Sequence, residues 1–151
     1  MQDDTRPVTI LIVEDNDDHM FLVKRALRDS GLANDIRSVT TGEDALDYLF
    51  RRGQYQDPAA SPRPGLILLD LKLPGIDGIE VLKTIKEHAQ LRLIPVVMLT
   101  TSASDSEVLA SYGCGVNSYI QKPVDFAKFA DTVKGLQMYW LLLNTPPPTL
   151  Q

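Results

Sequence analysis

The chain holds one cysteine, Cys114, in 151 residues, so no disulfide can close within it and nothing points to an oxidising compartment. Cys114 reads as a small packing residue rather than a reactive thiol, because no basic activator sits beside it. No apolar run comes near the roughly 20 residues needed to span a bilayer. Residues 1–7 are polar and acidic, unlike a secretory leader. Cations are in the minority, with 15 Lys and Arg against 20 Asp and Glu and a net charge of -5. Binding nucleic acid by counterion release needs clustered cations, so no direct DNA binding is expected. Internal repeats are absent. What is present is ordinary for a globular protein, 44% hydrophobic and 23% charged residues. A length near 150 residues suits one domain, large enough to bury about two-thirds of its unfolded surface without staples. A cytoplasmic single domain is the expectation.

Two kinds of apolar segment alternate along the chain. Short continuous runs at residues 8–13, 66–69 and 96–99 suit strands buried on both faces, and weaker ones lie at 36–39 and 118–121. Between them lie segments of helical period. The first covers about 18–30, with Met20, Phe21, Val23, Ala26 and Leu27 on its apolar face and Gly31 at its stop. The second covers 41–52, with Thr41 as its cap, and the third 78–88. A short, weakly apolar fourth covers 104–112. The fifth starts at a cap on Asp125 and runs to about residue 143. Strands alternating with helices predict βαβ units and an open parallel sheet, doubly wound. The polar, proline-containing stretch 53–64 reads as a long surface loop. Gly75 and Gly78 bracket a tight turn, with Asp77 as a helix cap.

In such sheets ligands sit beyond the carboxyl ends of the strands. Glu14 and Asp15 follow the first strand, Asp70 closes the third, Thr100, Thr101 and Ser102 follow the fourth, and Lys122 follows the fifth. Each alone reads blandly, as a helix cap, a turn former or a solvated lysine. Together, in this order, they predict three carboxylates meeting in one cup with a hydroxyl and an ammonium at its rim. Carboxylates so placed repel one another, and a hard divalent cation such as Mg²⁺ relieves them. The set suits a phosphoryl group, with Asp70 as nucleophile and Lys122 neutralising developing charge.

The ordered set resembles the receiver domain of two-component response regulators. It comprises Glu14-Asp15, Leu68-Leu69-Asp70-Leu71-Lys72-Leu73-Pro74-Gly75-Ile76-Asp77-Gly78, Thr100 after Val96-Val97-Met98-Leu99, and Tyr119-Ile120-Gln121-Lys122-Pro123. The resemblance covers about residues 8–136. It implies a flavodoxin-like (βα)5 fold of sheet order 2-1-3-4-5. Asp70 would accept phosphate from a sensor histidine kinase. Asp15 and Asp70 would hold Mg²⁺ directly, Glu14 through water, and the Lys72 backbone carbonyl would complete the protein's share. Lys122 would pair with a phosphoryl oxygen, Thr100 would swing toward it, and Tyr119 would turn inward. The face formed by the fourth helix, fifth strand and fifth helix would then change shape.

Residues 8–143 are expected to form the receiver with an extended last helix, between tails at 1–7 and 144–151. Tyr139, Trp140, Leu141 and Leu142 make that helix end apolar all round, which calls for a cover and favours a homodimer. This tail, the loop 53–64 and the stretch 94–102 are similar to the small stand-alone regulators of bacterial phytochrome kinases, which implies a red-light pathway and kinase docking over the first helix. His19 reads as an exposed contact residue there, not a metal ligand. Three other classes compete. An aspartate phosphatase wants a second carboxylate two residues after the nucleophile, where Lys72 stands. A flavin carrier wants a Ser/Thr/Gly-rich phosphate cradle where this chain is acidic. A phosphorylation-independent scaffold of the same fold is disfavoured by the intact site.

Overall fold

The computed structural model describes residues 9–30, 35–100 and 118–121. The expected fourth and fifth helices, Cys114, Lys122, the apolar residues 139–142 and both tails lie outside the described residues. Those described form β1 (Thr9–Val13), α1 (Asp17–Ser30), β2 (Asp35–Val39), α2 (Gly42–Phe50), β3 (Leu66–Asp70), α3 (Gly78–Glu87), β4 (Val96–Thr100) and β5 (Ser118–Gln121). Short 3₁₀ turns stand at Gly53–Tyr55, Pro58–Ala60 and Leu91–Leu93.

The five strands are parallel, in the order β2-β1-β3-β4-β5, as the resemblance implied. Every residue of β1 and of β3 is buried, which is why both read as unbroken apolar runs rather than alternating ones. The alternation is still there, hidden in which face each side chain takes. Leu11, Val13, Ile67, Leu69, Val96 and Met98 point to one face, beneath Ala45 and Leu49 of α2 and Val81, Leu82 and Ile85 of α3. Ile10, Ile12, Leu66, Leu68, Val97 and Leu99 point to the other, against Val23 and Leu27 of α1. The period of two along a strand thus divides the apolar residues between two cores.

Caps set the helix starts. The Thr41 side chain accepts from the Asp44 N–H at 3.0 Å, and Asp77 accepts from the Glu80 N–H at 3.0 Å, both as expected. Helix α1 begins one residue earlier than expected, because the Asn16 side chain caps it by accepting from the His19 N–H at 3.0 Å. One further expectation needs correction, and another gains detail. Phe21 is 57% exposed, not on the apolar face, since Met20, Val23 and Leu27 already fill the contact with the sheet. The stretch 53–64 is a surface loop, but a tied one. The Tyr48 hydroxyl donates to the Pro62 carbonyl at 2.7 Å, and Arg63 donates to the Leu49 carbonyl at 3.1 Å. Ser61, 1% exposed, donates to the Tyr55 carbonyl at 3.0 Å. The loop's arginine satisfies a carbonyl that the end of α2 leaves over, and α2's tyrosine satisfies one of the loop's.

Candidate metal centre

The register of the central strands builds the site. Val13, the last residue of β1, lies opposite Leu69 of β3; Glu14 follows directly, and Asp70 closes β3. Neighbouring strands run about 4.8 Å apart, so two carboxylates leave the sheet side by side. The Glu14 N–H donates to the Val39 carbonyl at 3.1 Å, which prolongs the pairing of β1 with β2 and holds Glu14 at the carboxyl end of the sheet. Glu14 is 1% exposed and Asp70 5%, while Asp15 faces solvent. One carboxylate oxygen from each of the three lies within 4.8 Å of the others. The three carboxylates that the sequence placed in one cup therefore meet.

The turn beyond β3 is folded tightly against this cup. The Leu71 N–H donates to the Leu99 carbonyl at 2.8 Å, and the Gly78 N–H donates to the Leu71 carbonyl at 2.9 Å. A β-carbon on Gly78 would stand 2.3 Å from the Asp70 carbonyl oxygen, so only glycine lets α3 start this close to the acceptor strand. Gly75, at φ +73°, turns the chain in the left-handed region, as its place in the motif led us to expect. Lys72 is exposed on this turn, two residues past Asp70. Glu43, in the first turn of α2, accepts from the Ile76 N–H at 3.4 Å and joins that helix to the same turn. The sequence offers no local sign of this contact, which spans 33 residues. Thr100 ends β4 opposite Gln121 of β5, and Tyr119 lies opposite Met98. The side chains of Thr100 and Tyr119 lie outside the described residues.

His19, expected as an exposed contact residue and not a metal ligand, is absent from the group of three carboxylates and makes one contact that was not anticipated. It stands against the acidic cup, with Nδ1 3.8 Å from Glu14 Oε2 and only a third of its side chain exposed. The Asn16 N–H donates to the same Oε2 at 3.1 Å. With Asn16 as cap, His19 is the third residue of the helix, the position whose side chain reaches back toward the cap. That register was the signal, and placing the helix start one residue late concealed it.

The donor set is chemically specific. Three clustered carboxylates, two of them buried, repel at close range, and oxygen donors of this kind suit Mg²⁺, Mn²⁺ or Ca²⁺. The family model for the response regulator receiver domain matches residues 10–134. The chain belongs to that family. As a receiver it is a signalling switch rather than a turnover enzyme. It is 43% identical over 141 residues to the probable methanogenesis regulatory protein FilR2 of Methanothrix harundinacea, covering 93% of this chain and 88% of that one. It also superposes on the phosphorylated cyanobacterial phytochrome response regulator RcpA, with TM-score 0.76, 40% identity, and 90% of this chain and 95% of that one covered. The Mn²⁺-bound form of response regulator Rcp1 superposes with TM-score 0.75 at 41% identity, covering 89% and 95%. No helix among the receiver's described residues is long and apolar enough to cross a membrane.

Proposed function

We propose that this receiver accepts a phosphoryl group on Asp70 from a sensor histidine kinase and uses it to switch the face built on its last strand and flanking helices. The observation that carries this reading is the meeting of Glu14, Asp15 and Asp70 beyond the ends of the two central strands. In the transfer, an Asp70 carboxylate oxygen attacks phosphorus. A P–O bond forms, the P–N bond to the kinase's histidine breaks, and the imidazole leaves with the electron pair. Hydrolysis of the acyl phosphate by water returns the carboxylate and inorganic phosphate. Asp15, Asp70 and the Lys72 backbone carbonyl would hold Mg²⁺ directly and Glu14 through water. Bound there, the ion would offset the charge of the carboxylates and of the incoming phosphoryl oxygens. Lys122 would pair with a phosphoryl oxygen. Thr100 would donate its hydroxyl to another, and Tyr119 would fill the space Thr100 leaves. A switch of this kind works because the phosphoryl group binds better in one arrangement of those groups than in the other.

The likeness to RcpA, a phosphorylated phytochrome response regulator, supports both the acceptor role and a place in light signalling. The Mn²⁺-bound relative supports the cation. FilR2, at similar identity, is described as a regulator of methanogenesis, so the choice of kinase needs its own measurement. Labelling with acetyl phosphate tests the acceptor. Wild type takes up phosphate only with Mg²⁺, and Asp70→Asn takes up none; labelling of the variant would move the acceptor elsewhere. In the same assay, a phytochrome-type kinase should transfer much faster than an unrelated one, and equal rates would remove the light assignment.

A further inference from the structure

We propose that Glu43 is a positioning residue for the acidic cup, clamping the turn beyond β3 so that the Lys72 backbone carbonyl is held ready for a divalent ion. This rests on the reading that the cup binds such an ion and that this carbonyl joins it. The turn is an arch with joined feet. The Gly78 N–H donates to the Leu71 carbonyl at 2.9 Å, and the Leu71 N–H anchors that foot to the Leu99 carbonyl of β4 at 2.8 Å. Residues 72–77 bridge the feet, with Lys72 on one shoulder. On the other, Glu43 makes two contacts. Its Oε2 accepts from the Ile76 N–H at 3.4 Å. Its carboxylate also presses on Gly75, where a β-carbon would stand 2.6 Å from Oε2 and 3.0 Å from Oε1. One residue before Glu43, Gly42 brings the start of α2 to the same place, since a β-carbon there would stand 2.7 Å from Ile76 Cγ1 and 2.8 Å from the Ile76 carbonyl oxygen. The clamp has a firm base, because α2 is capped by Thr41 and buried through Ala45, Tyr48 and Leu49. Mg²⁺ demands near-ideal octahedral geometry at about 2.0–2.1 Å. A carbonyl on an arch tied only at its feet meets that demand less well than one on an arch held at its tip too.

An acid in the first turn of a helix can also act through its charge alone, drawing cations from a distance. Binding of Mn²⁺ to the full-length chain, followed by the electron paramagnetic resonance signal of the free ion, separates the two. Glu43→Ala should bind about 10-fold more weakly than wild type. Glu43→Gln keeps an acceptor oxygen at the same reach and should recover most of the loss. Asp44→Asn removes a charge from the same turn of α2 and should bind as wild type does. A Gln variant as weak as the Ala variant, or equal weakening in Asp44→Asn, would mark a charge effect and overturn the proposal, as would wild-type affinity in Glu43→Ala. Labelling by acetyl phosphate gives a second readout. With Mg²⁺ raised to saturation, Glu43→Ala should regain the wild-type maximal rate, because Glu43 touches no reacting atom. A rate that stays low at saturation would also overturn the proposal. Asp70→Asn is the separate control. If it leaves Mn²⁺ binding intact, the cup reading itself fails, which is a different result from unchanged affinity in Glu43→Ala.

Discussion

Gly78 shows how closely one residue can govern the site. Its missing side chain lets the first turn of α3 lie on the backbone of Asp70 and Leu71. The atoms a methyl would meet are backbone, which cannot rotate away. Gly78→Ala should therefore cost about 1–3 kcal/mol, measured by urea unfolding. It should also weaken divalent-ion binding, because the turn carrying the Lys72 carbonyl must shift. A variant with wild-type ion affinity would show that the turn and the cup are not coupled. Tyr48 acts in the last turn of α2. Burial pushes its hydroxyl up to about 12 from an ordinary 10.0, outweighing nearby arginines that pull it down. A phenol whose pKa rises on folding stabilises the fold fully below pH 10, and that contribution fades as pH climbs from 10 to about 12. Tyr48→Phe removes the bond to Pro62 and should cost about 1–3 kcal/mol at neutral pH. The variant should also lose less of its stability than wild type between pH 10 and 12, followed by thermal melts across that range; parallel losses would show that the hydroxyl does not couple folding to pH.

At the level of elements, the caps and the strands could be read directly from the chain. Thr41 and Asp77 each precede a helix by one residue and accept the N–H that their position dictates. The ends of β1 and β3 were legible because a buried parallel strand is a short apolar run, and the run stops where acids begin. What escaped reading depends on contacts distant in sequence. Phe21 has the right period for a buried face and is exposed because its neighbours suffice. The loop 53–64 has the composition of a free surface segment, yet Tyr48, Arg63 and Ser61 tie it through carbonyls that no sequence pattern marks. Glu43 reaches Ile76 across 33 residues. His19 is the instructive case, since its contact with Glu14 is local. It was missed only through a cap displaced by one residue, and in a helix one residue turns a side chain by about 100°.

At the scale of the whole molecule, the acidic cup is a repulsive feature of the folded state. An ion that binds the folded chain alone stabilises it by about 2.7 kcal/mol at a concentration 100 times its dissociation constant. Mg²⁺ should accordingly raise the melting temperature of the wild type, and chelation should reverse the gain. Asp70→Asn should melt higher than wild type without metal and respond little to Mg²⁺, because one of three clustered charges is gone. A variant that melts lower without metal, or that gains as much from Mg²⁺ as wild type does, would place the strain elsewhere. Assembly is a further proposal at this scale. If Tyr139, Trp140, Leu141 and Leu142 cover themselves with a second copy, charged residues at Trp140 and Leu142 should shift sedimentation toward the monomer; unchanged mass would discard the dimer. Finally, the parallel sheet separates the molecule into two poles. Every acid of the cup leaves a strand at one end, while Leu93, 55% exposed, precedes β4 at the other. The five residues of β4 lie between, about 17 Å of extended chain. A fluorescent dye tethered at Leu93 would sit clear of the chemistry, giving a reporter that travels with the protein without muting its signal.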